Sequence, residues 1–98
     1  MATTTEQPSV TIRIPTPLRS YTNNQSIVEV DGATVQAALT DLIDTYPALK
    51  PHLYHDTGDL RSFVNIYVGD EDIRYLDGPQ TALEEDAEVS IVPSIAGG

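Results

Sequence analysis

One amphipathic helix in a chain of strand-like segments is the strongest constraint on how this sequence can fold. Thr34 precedes the helix as an N-cap residue, which accepts a hydrogen bond from a backbone N–H of the first turn. Pro47 ends the helix near Tyr46, because a residue before proline avoids the α conformation. The apolar positions recur at helical spacing and comprise Val35, Ala38, Leu39, Leu42, Ile43 and Tyr46. This stripe has to be buried against a second layer of structure.

Five further segments have the alternation or the β-branched and aromatic content of strands. They are residues 10–14, 26–30, 63–68, 73–75 and 88–92. Pro15, Pro17 and the turn signal Asn23-Asn24 separate the first two, which are predicted to form a hairpin. The element order predicts an α+β fold in two layers, with one main helix on one face of a mixed sheet of about five strands. The first and last strands are predicted to pair in parallel at the centre of that sheet.

Two finer predictions concern the second half of the chain. In the strand at 63–68, Val64, Ile66 and Val68 are assigned to the core, and Phe63, Asn65 and Tyr67 to the other face. Short helical turns are predicted near Leu49–Tyr54 and at residues 81–83.

The length of 98 residues indicates one domain. We expect a flexible leader at 1–9, a folded domain at 10–93 and an extended tail at 94–98. No apolar run reaches the ~20 residues that span a bilayer, and the first residues lack the basic and apolar regions of a secretion signal. The expectation is a soluble cytoplasmic protein without a membrane partner.

Composition excludes several kinds of chemistry. The absence of cysteine excludes disulfides, thiolate nucleophiles and Cys-ligated metals. With 15 acidic against 5 basic residues, the net charge of −10 disfavours nucleic acid and favours basic protein partners. His52 and His55 are interpreted as surface-loop residues and not as metal ligands. Since no nucleophile–base constellation or phosphate loop is present, we expect neither an enzyme nor a chain that binds a cofactor or metal.

The last two residues, Gly97-Gly98, contribute nothing to packing and little stiffness. A tail without Cβ atoms can enter a narrow enzyme cleft, because no side chain blocks the approach of another backbone. The α-carboxylate of Gly98 is therefore the predicted site of chemistry.

The element order is that of the β-grasp, or ubiquitin-like, fold, and the residues resemble the ThiS/MoaD family of sulfur carriers. The resemblance covers residues 10–98 and is strongest with the branch that supplies sulfur for cysteine synthesis. It is carried by residues 63–68, 70–74 and 88–93 and by the tail 94–98. Glu85-Asp86-Ala87 stands where members often have a glycine turn.

The resemblance implies a mechanism at Gly98. An adenylating, E1-like partner uses ATP and magnesium to convert the Gly98 carboxylate to an acyl-adenylate, and a sulfur donor then leaves a thiocarboxylate. In the cysteine branch, a pyridoxal-phosphate-dependent cysteine synthase uses this sulfur, and a zinc-dependent peptidase then releases the product from Gly98. Other branches supply molybdopterin, thiazole or thiolated tRNA synthesis.

The partner-binding residues are predicted to be Ile95, Ala96 and Gly97 in the tail, with Phe63 and Tyr67 as an exposed aromatic patch. In the opposite register Phe63 and Tyr67 face the helix instead. Two other functions remain open: a ubiquitin-like modifier joined through Gly98 to lysines, and a binding module with an incidental tail.

Overall fold

A computed structural model describes residues 8–58, 60–61 and 64–93 of the chain. The strands are β1 (Ser9–Arg13), β2 (Ile27–Asp31), β3 (Val64–Val68), β4 (Glu71–Asp72) and β5 (Glu88–Pro93). The α-helices are α1 (Val35–Thr45) and the single-turn α2 (Lys50–Leu53). Short 3₁₀ helices comprise Thr16–Tyr21, Pro47–Leu49, Ile73–Tyr75 and Gly78–Gln80.

The strands form one mixed sheet in the order β2-β1-β5-β3-β4. The two central strands, β1 and β5, are parallel, with Ile12 opposite Val89, and the other neighbouring strands are antiparallel. The predicted α+β architecture and the parallel pairing of the first and last strands are confirmed. This is the β-grasp arrangement, and it places the last strand in the middle of the sheet.

The main helix begins as predicted, because the Thr34 hydroxyl accepts a hydrogen bond from the backbone N–H of Ala37 at 3.1 Å. Its apolar stripe packs on one face of the sheet and forms the core together with the inward side chains of β1, β3 and β5. The core residues with no more than 1% exposure are Val10, Ile12, Ile14, Val35, Ala38, Leu39, Leu42, Leu49, Leu53, Ile66 and Val89. The assignment of Val64 and Ile66 to the core is confirmed, and Val68 packs against it half-buried.

The prediction of a return strand at 73–75 is wrong. The return strand is Glu71–Asp72, and Ile73–Tyr75 is a 3₁₀ helix. The cause is the Asp72 carboxylate, which accepts a hydrogen bond from the backbone N–H of Arg74 at 2.8 Å and so caps a helical turn.

The helical turn predicted at 81–83 is also wrong, since Ala82 makes an isolated antiparallel bridge to Thr34. Leu83 N donates to Ala33 O, and Val35 N donates to Thr81 O. The backbone groups before α1 are thus satisfied by this extended segment, which competes with helix formation there.

The connection between β1 and β2 contains a 3₁₀ helix, Thr16–Tyr21, that the pattern did not indicate. The antiparallel pairing predicted for the first two strands is confirmed, but it is closed by this longer connection. Asn23 and Asn24 both have positive φ, at 55° and 64°, a conformation that Asn tolerates better than most residues. The predicted turn therefore lies where it was expected.

The described part of the chain ends at Pro93 and includes Ser9, the last residue of the predicted leader, in β1. The predicted tail at 94–98 lies outside the described residues. Among the described helices, none combines the length and the apolar character needed to cross a bilayer.

Candidate functional site

The predicted site is divided between described and undescribed residues. Ile95, Ala96, Gly97 and Gly98 lie outside the described residues, as does Phe63. The structure therefore describes two parts of the predicted site: the strand that precedes the tail, and the face of the sheet around Tyr67.

The base of the tail is β5, which is held on both sides. β5 pairs in parallel with β1 and in antiparallel register with β3, where Pro93 lies opposite Val64. Val89 and Ile91 are buried, at 0% and 3% exposure, and fix the strand to the core. Two ladders and two buried side chains therefore fix the position of β5 as far as Pro93, the last described residue.

The sheet face turned away from α1, here called the outer face, is formed by the side chains that alternate with the core residues. On the three strands β1, β5 and β3 it comprises Thr11, Arg13, Ser90, Val92, Asn65 and Tyr67. Tyr67 is half-buried and lies opposite Ser90, while Asn65 lies opposite Val92, which is 43% exposed. Tyr67 thus lies on the face that the alternation pattern assigned to it, next to the last strand.

A polar network at the edge of the outer face joins β3, β4 and the following 3₁₀ helix. The Arg74 guanidinium donates to both carboxylate oxygens of Asp72, at 3.2 Å and 2.9 Å, and also to Asn65 Oδ1. These guanidinium hydrogen bonds, followed by the one from the Arg74 backbone N–H, lower the pKa of the Asp72 carboxyl from its ordinary value. Asp72 therefore stays ionised, although its residue is only 8% exposed.

The network orients the side chain of Asn65, which lies opposite Val92 near the end of β5. The sequence pattern did not indicate this network, although Asp72 and Arg74 belong to the segment 70–74 that resembles the sulfur-carrier family. The sequence did contain one signal for it. An acid two residues before an arginine, directly after a turn, suits a hydrogen bond from the acid side chain to the following backbone N–H.

The centre of the outer face, on β5 and β3, carries little unpaired charge, although Glu29 and Asp31 lie on its β2 edge. Arg13 on β1 pairs with Glu88 on β5, and Arg74 pairs with Asp72. Between these pairs lie Tyr67, Ser90 and Val92, none of which is charged. Protein interfaces characteristically have few charged residues at their centre, and this region, which contains one aromatic residue, Tyr67, shares that property.

The predicted histidine loop is only partly correct. His52 is half-buried in α2 and stacks on Tyr21 with ring centroids 4.3 Å apart, while His55 is exposed. His52 thus has a packing role against the 3₁₀ helix that follows β1.

Comparison with known proteins identifies the relatives of the chain. The family model described as "ThiS family" matches residues 12–98. The chain is 41% identical over 92 residues to the sulfur carrier protein CysO of Mycobacterium tuberculosis, and the match covers 92% of this chain and 99% of that protein.

Solved structures give the same result for the fold. The crystal structure of M. tuberculosis CysO superposes with a TM-score of 0.81 at 40% identity, covering 88% of this chain and 99% of that one. In the crystal structure of the BexX/CysO complex of Amycolatopsis orientalis, the matching chain superposes with a TM-score of 0.83 at 36% identity, covering 91% and 99%. The small archaeal modifier protein 1 of Methanosarcina acetivorans has a TM-score of 0.84 at 27% identity, covering 96% and 100%. The chain belongs to the ThiS family, whose sulfur carrier proteins are carriers and not catalysts.

Proposed function

We propose that this protein is a sulfur carrier whose Gly98 carboxylate is adenylated, converted to a thiocarboxylate and used as a sulfur donor. The observation that carries the proposal is the extent of the likeness, since the family match continues through residue 98. The sulfur carrier CysO is also matched over 99% of its own length.

The chemistry follows from the poor reactivity of a carboxylate, which has no usable leaving group. An oxygen of the Gly98 carboxylate attacks the α-phosphorus of ATP, held with magnesium by an activating partner, and pyrophosphate leaves. A sulfur nucleophile then attacks the acyl carbon, and AMP leaves with the electron pair of the broken C–O bond. The carrier supplies only the position of its terminus, which β5 defines up to Pro93.

The proposed destination of the sulfur is cysteine biosynthesis. Support comes from the name and the high coverage of the CysO relatives. The partners would be a pyridoxal-phosphate-dependent cysteine synthase, which accepts the sulfur, and a zinc-dependent peptidase, which frees the product from Gly98. Molybdopterin, thiazole or tRNA thiolation are the alternative destinations. We further propose that the protein acts in the cytoplasm, together with these partner enzymes.

The proposed docking surface consists of the tail residues Ile95, Ala96 and Gly97 with Phe63 and Tyr67. The scarcity of unpaired charge on the outer face around Tyr67 supports it, because little charge has to be desolvated there on contact. Tyr67→Ser should raise the KM of the activating enzyme for the carrier about tenfold or more. Tyr75→Ser, at a tyrosine that is 87% exposed in the 3₁₀ helix after β4, is the matched control. Equal effects of the two substitutions would exclude Tyr67 as a docking residue.

A second function is favoured by the likeness to archaeal modifier proteins. The chain is 37% identical over 68 residues to the small archaeal modifier protein 3 of Haloferax volcanii. In that role the activated Gly98 would acylate a lysine of a target protein and release AMP.

One experiment separates these functions. The protein is incubated with its activating enzyme, ATP, magnesium and sulfide, and its intact mass is measured. The sulfur-carrier proposal predicts the mass increase for replacing one oxygen by sulfur, and no increase in a variant that lacks Gly98. Adducts to lysines in cell extract would favour the modifier, and an unchanged mass would leave only a binding module.

A further inference from the structure

The outer side of β2 is not covered by another strand among the described residues, because β2 stands at one end of the strand order β2-β1-β5-β3-β4. In an antiparallel pair, the backbone groups of successive residues point alternately to the two sides of the strand. Two hydrogen bonds at the ends of β2 show that its even-numbered side points to β1: Ile14 N donates to Ser26 O at 2.8 Å, and Gly32 N donates to Pro8 O at 3.0 Å. The odd-numbered residues therefore point away from β1, to what is here called the open edge.

The open edge consists of the outward backbone groups of Ile27, Glu29 and Asp31. Asp31 N donates to Asp41 Oδ2 of α1 at 3.0 Å, which agrees with the outward direction and closes that end of the edge. Among the described residues, the outward N–H and C=O groups of Ile27 and Glu29 have no hydrogen-bond partner. A row of unpaired backbone groups on an edge strand is a template for one further strand.

Carboxylates surround the open edge, both on β2 and on the helix beside it. They are those of Glu29, Asp31, Asp41 and Asp44, of which the last three line a groove between β2 and α1. Neither of the ion pairs formed within the described part of the chain includes them. Arg13, which lies opposite Ile27, is paired with Glu88 on β5. The charge that complements the open edge is therefore positive.

Charge also argues against a second copy of this chain as the occupant. Two β2 strands that paired in antiparallel register about Glu29 would place Glu29 opposite its own copy and the exposed Ile27 opposite Asp31. Like charges directly opposite each other destabilise a sheet. The chain's first seven residues contain no lysine or arginine, so charge does not favour them as an occupant either.

We propose that the open edge binds an extended, basic segment of a partner protein, which adds a sixth strand to the five-stranded sheet. Main-chain hydrogen bonds to Ile27 and Glu29 fix the register of the added strand. On the outer face, a lysine or arginine of the segment lies opposite Glu29, and an apolar side chain covers Ile27. The proposal goes beyond the proposed function and does not depend on any chemistry at Gly98.

A partner at the open edge leaves the predicted tail-side surface uncovered. β1 lies between β2 and β5, so the added strand is three strand spacings from β5, or about 14 Å at ~4.8 Å per spacing. Tyr67 on β3 is one strand further away. The carrier can therefore be held at the open edge while a second protein contacts Tyr67 and the end of β5.

The test uses the full chain and a synthetic seven-residue peptide of alternating lysine and valine. Amide hydrogen exchange, measured by NMR, should slow about tenfold or more at Ile27 and Glu29 when the peptide binds. The amides of Val28 and Val30, which already point to β1, should change less. A control peptide methylated on every backbone nitrogen keeps the charge but cannot donate hydrogen bonds, and it should not slow exchange. A peptide of alternating glutamate and valine should not bind.

Variants test the charge and the backbone groups separately, with the dissociation constant of the lysine peptide measured by fluorescence anisotropy. Glu29→Gln should weaken binding about two- to fivefold, as expected for one exposed ion pair. Asp70→Asn, which removes one exposed charge between β3 and β4, is the matched control and should change binding less. Ile27→Pro should weaken binding about tenfold or more, because proline has no N–H and its ring occupies the open edge.

Circular dichroism verifies that each variant is folded, and the comparison of peptides on the wild-type protein needs no variant. Unchanged exchange at Ile27 and Glu29 with the lysine peptide, or equal slowing by the methylated peptide, overturns the proposal. Protection of the same two amides in the free protein overturns it as well. Sedimentation then identifies the occupant: a dimer mass shows a second copy at the open edge, and a monomer mass shows the chain's own residues there. Each of these results leaves the proposed function at Gly98 standing.

Discussion

At the scale of single residues, Gly32 is the described glycine at which the surrounding backbone leaves least space for a side chain. It lies between β2 and α1, and a Cβ added there would be 2.4 Å from Ala38 N and 2.7 Å from Ala38 Cα. Since these are backbone atoms, the helix itself would have to move.

Gly32→Ala is therefore expected to destabilise the fold by about 3 kcal/mol or more, the upper range for overpacking. Urea denaturation measures the free energy of unfolding. Gly69→Ala is the control, because its Cβ would contact nothing within 4 Å and only its φ of +61° opposes the change. It should cost about 1–2 kcal/mol. If the two variants were equally stable, the close approach at Gly32 would not be a constraint.

Asp86 has a positive φ, a backbone conformation that is unfavourable for residues with a side chain. Its φ is +67°, in the turn before β5. Asp86→Gly should stabilise the protein by up to about 1 kcal/mol, because glycine adopts positive φ without strain. Thermal unfolding at neutral pH measures this, with Glu84→Gly as a control that should not stabilise. A loss of stability in Asp86→Gly would show that the Asp86 side chain contributes more than its backbone strain costs.

Asp72 gives the protein a pH dependence of stability. Arg74 lowers the pKa of Asp72 in the folded state, so this carboxylate stabilises the fold above its unfolded pKa. The loss of this contribution begins below about pH 4, the ordinary pKa of an Asp carboxyl. It is complete once the pH has fallen through the lower pKa of the folded state. Asp72→Asn should therefore be less stable at pH 7 and lose less stability than wild type on acidification. Parallel pH profiles of the two proteins, measured by urea denaturation, would contradict this role.

At the scale of secondary-structure elements, the helix α1 was predictable because its signals agree. The Thr34 cap, the periodic stripe and Pro47 each indicate the same segment, and the helix ends at Thr45, one residue before the expected end. Thr34→Ala should cost about 1 kcal/mol of stability, whereas Thr40→Ala on the exposed side of the same helix should cost less than 0.5 kcal/mol. Thermal unfolding compares the two, and equal effects would mean that the cap hydrogen bond is not the cause.

The short elements were predicted less well, for a local reason at residues 73–75 and a tertiary reason at residues 81–83. Residues 73–75 have strand-forming composition, but the Asp72 carboxylate caps a turn there. Residues 81–83 have helix-forming composition, yet they pair with the chain before α1 through Ala33 and Thr34. The composition of residues 81–83 cannot specify contacts with partners so distant in sequence.

At the scale of the whole molecule, the order of the strands was predictable, whereas the ion pair between β1 and β5 was not. Alternation identified the two central strands, whose parallel pairing follows from the β-grasp element order. Arg13 and Glu88 are 75 residues apart in the sequence, and only the parallel register of β1 and β5 brings them into contact. Site residues were predicted at Gly98 by its terminal position and at Tyr67 by alternation, whereas the Asn65–Arg74 contact depends on the turn after β4.

The central claim is that sulfur is carried on Gly98, and one peptide mass tests it most directly. No lysine or arginine follows Arg74, so trypsin releases residues 75–98 as a single peptide that ends in Gly98. After incubation with the activating enzyme, ATP and sulfide, this peptide should gain the mass of one sulfur for one oxygen, located at Gly98 by fragmentation. An unmodified peptide 75–98 from a sample in which the enzyme has consumed ATP, or sulfur on any other peptide, would contradict the claim.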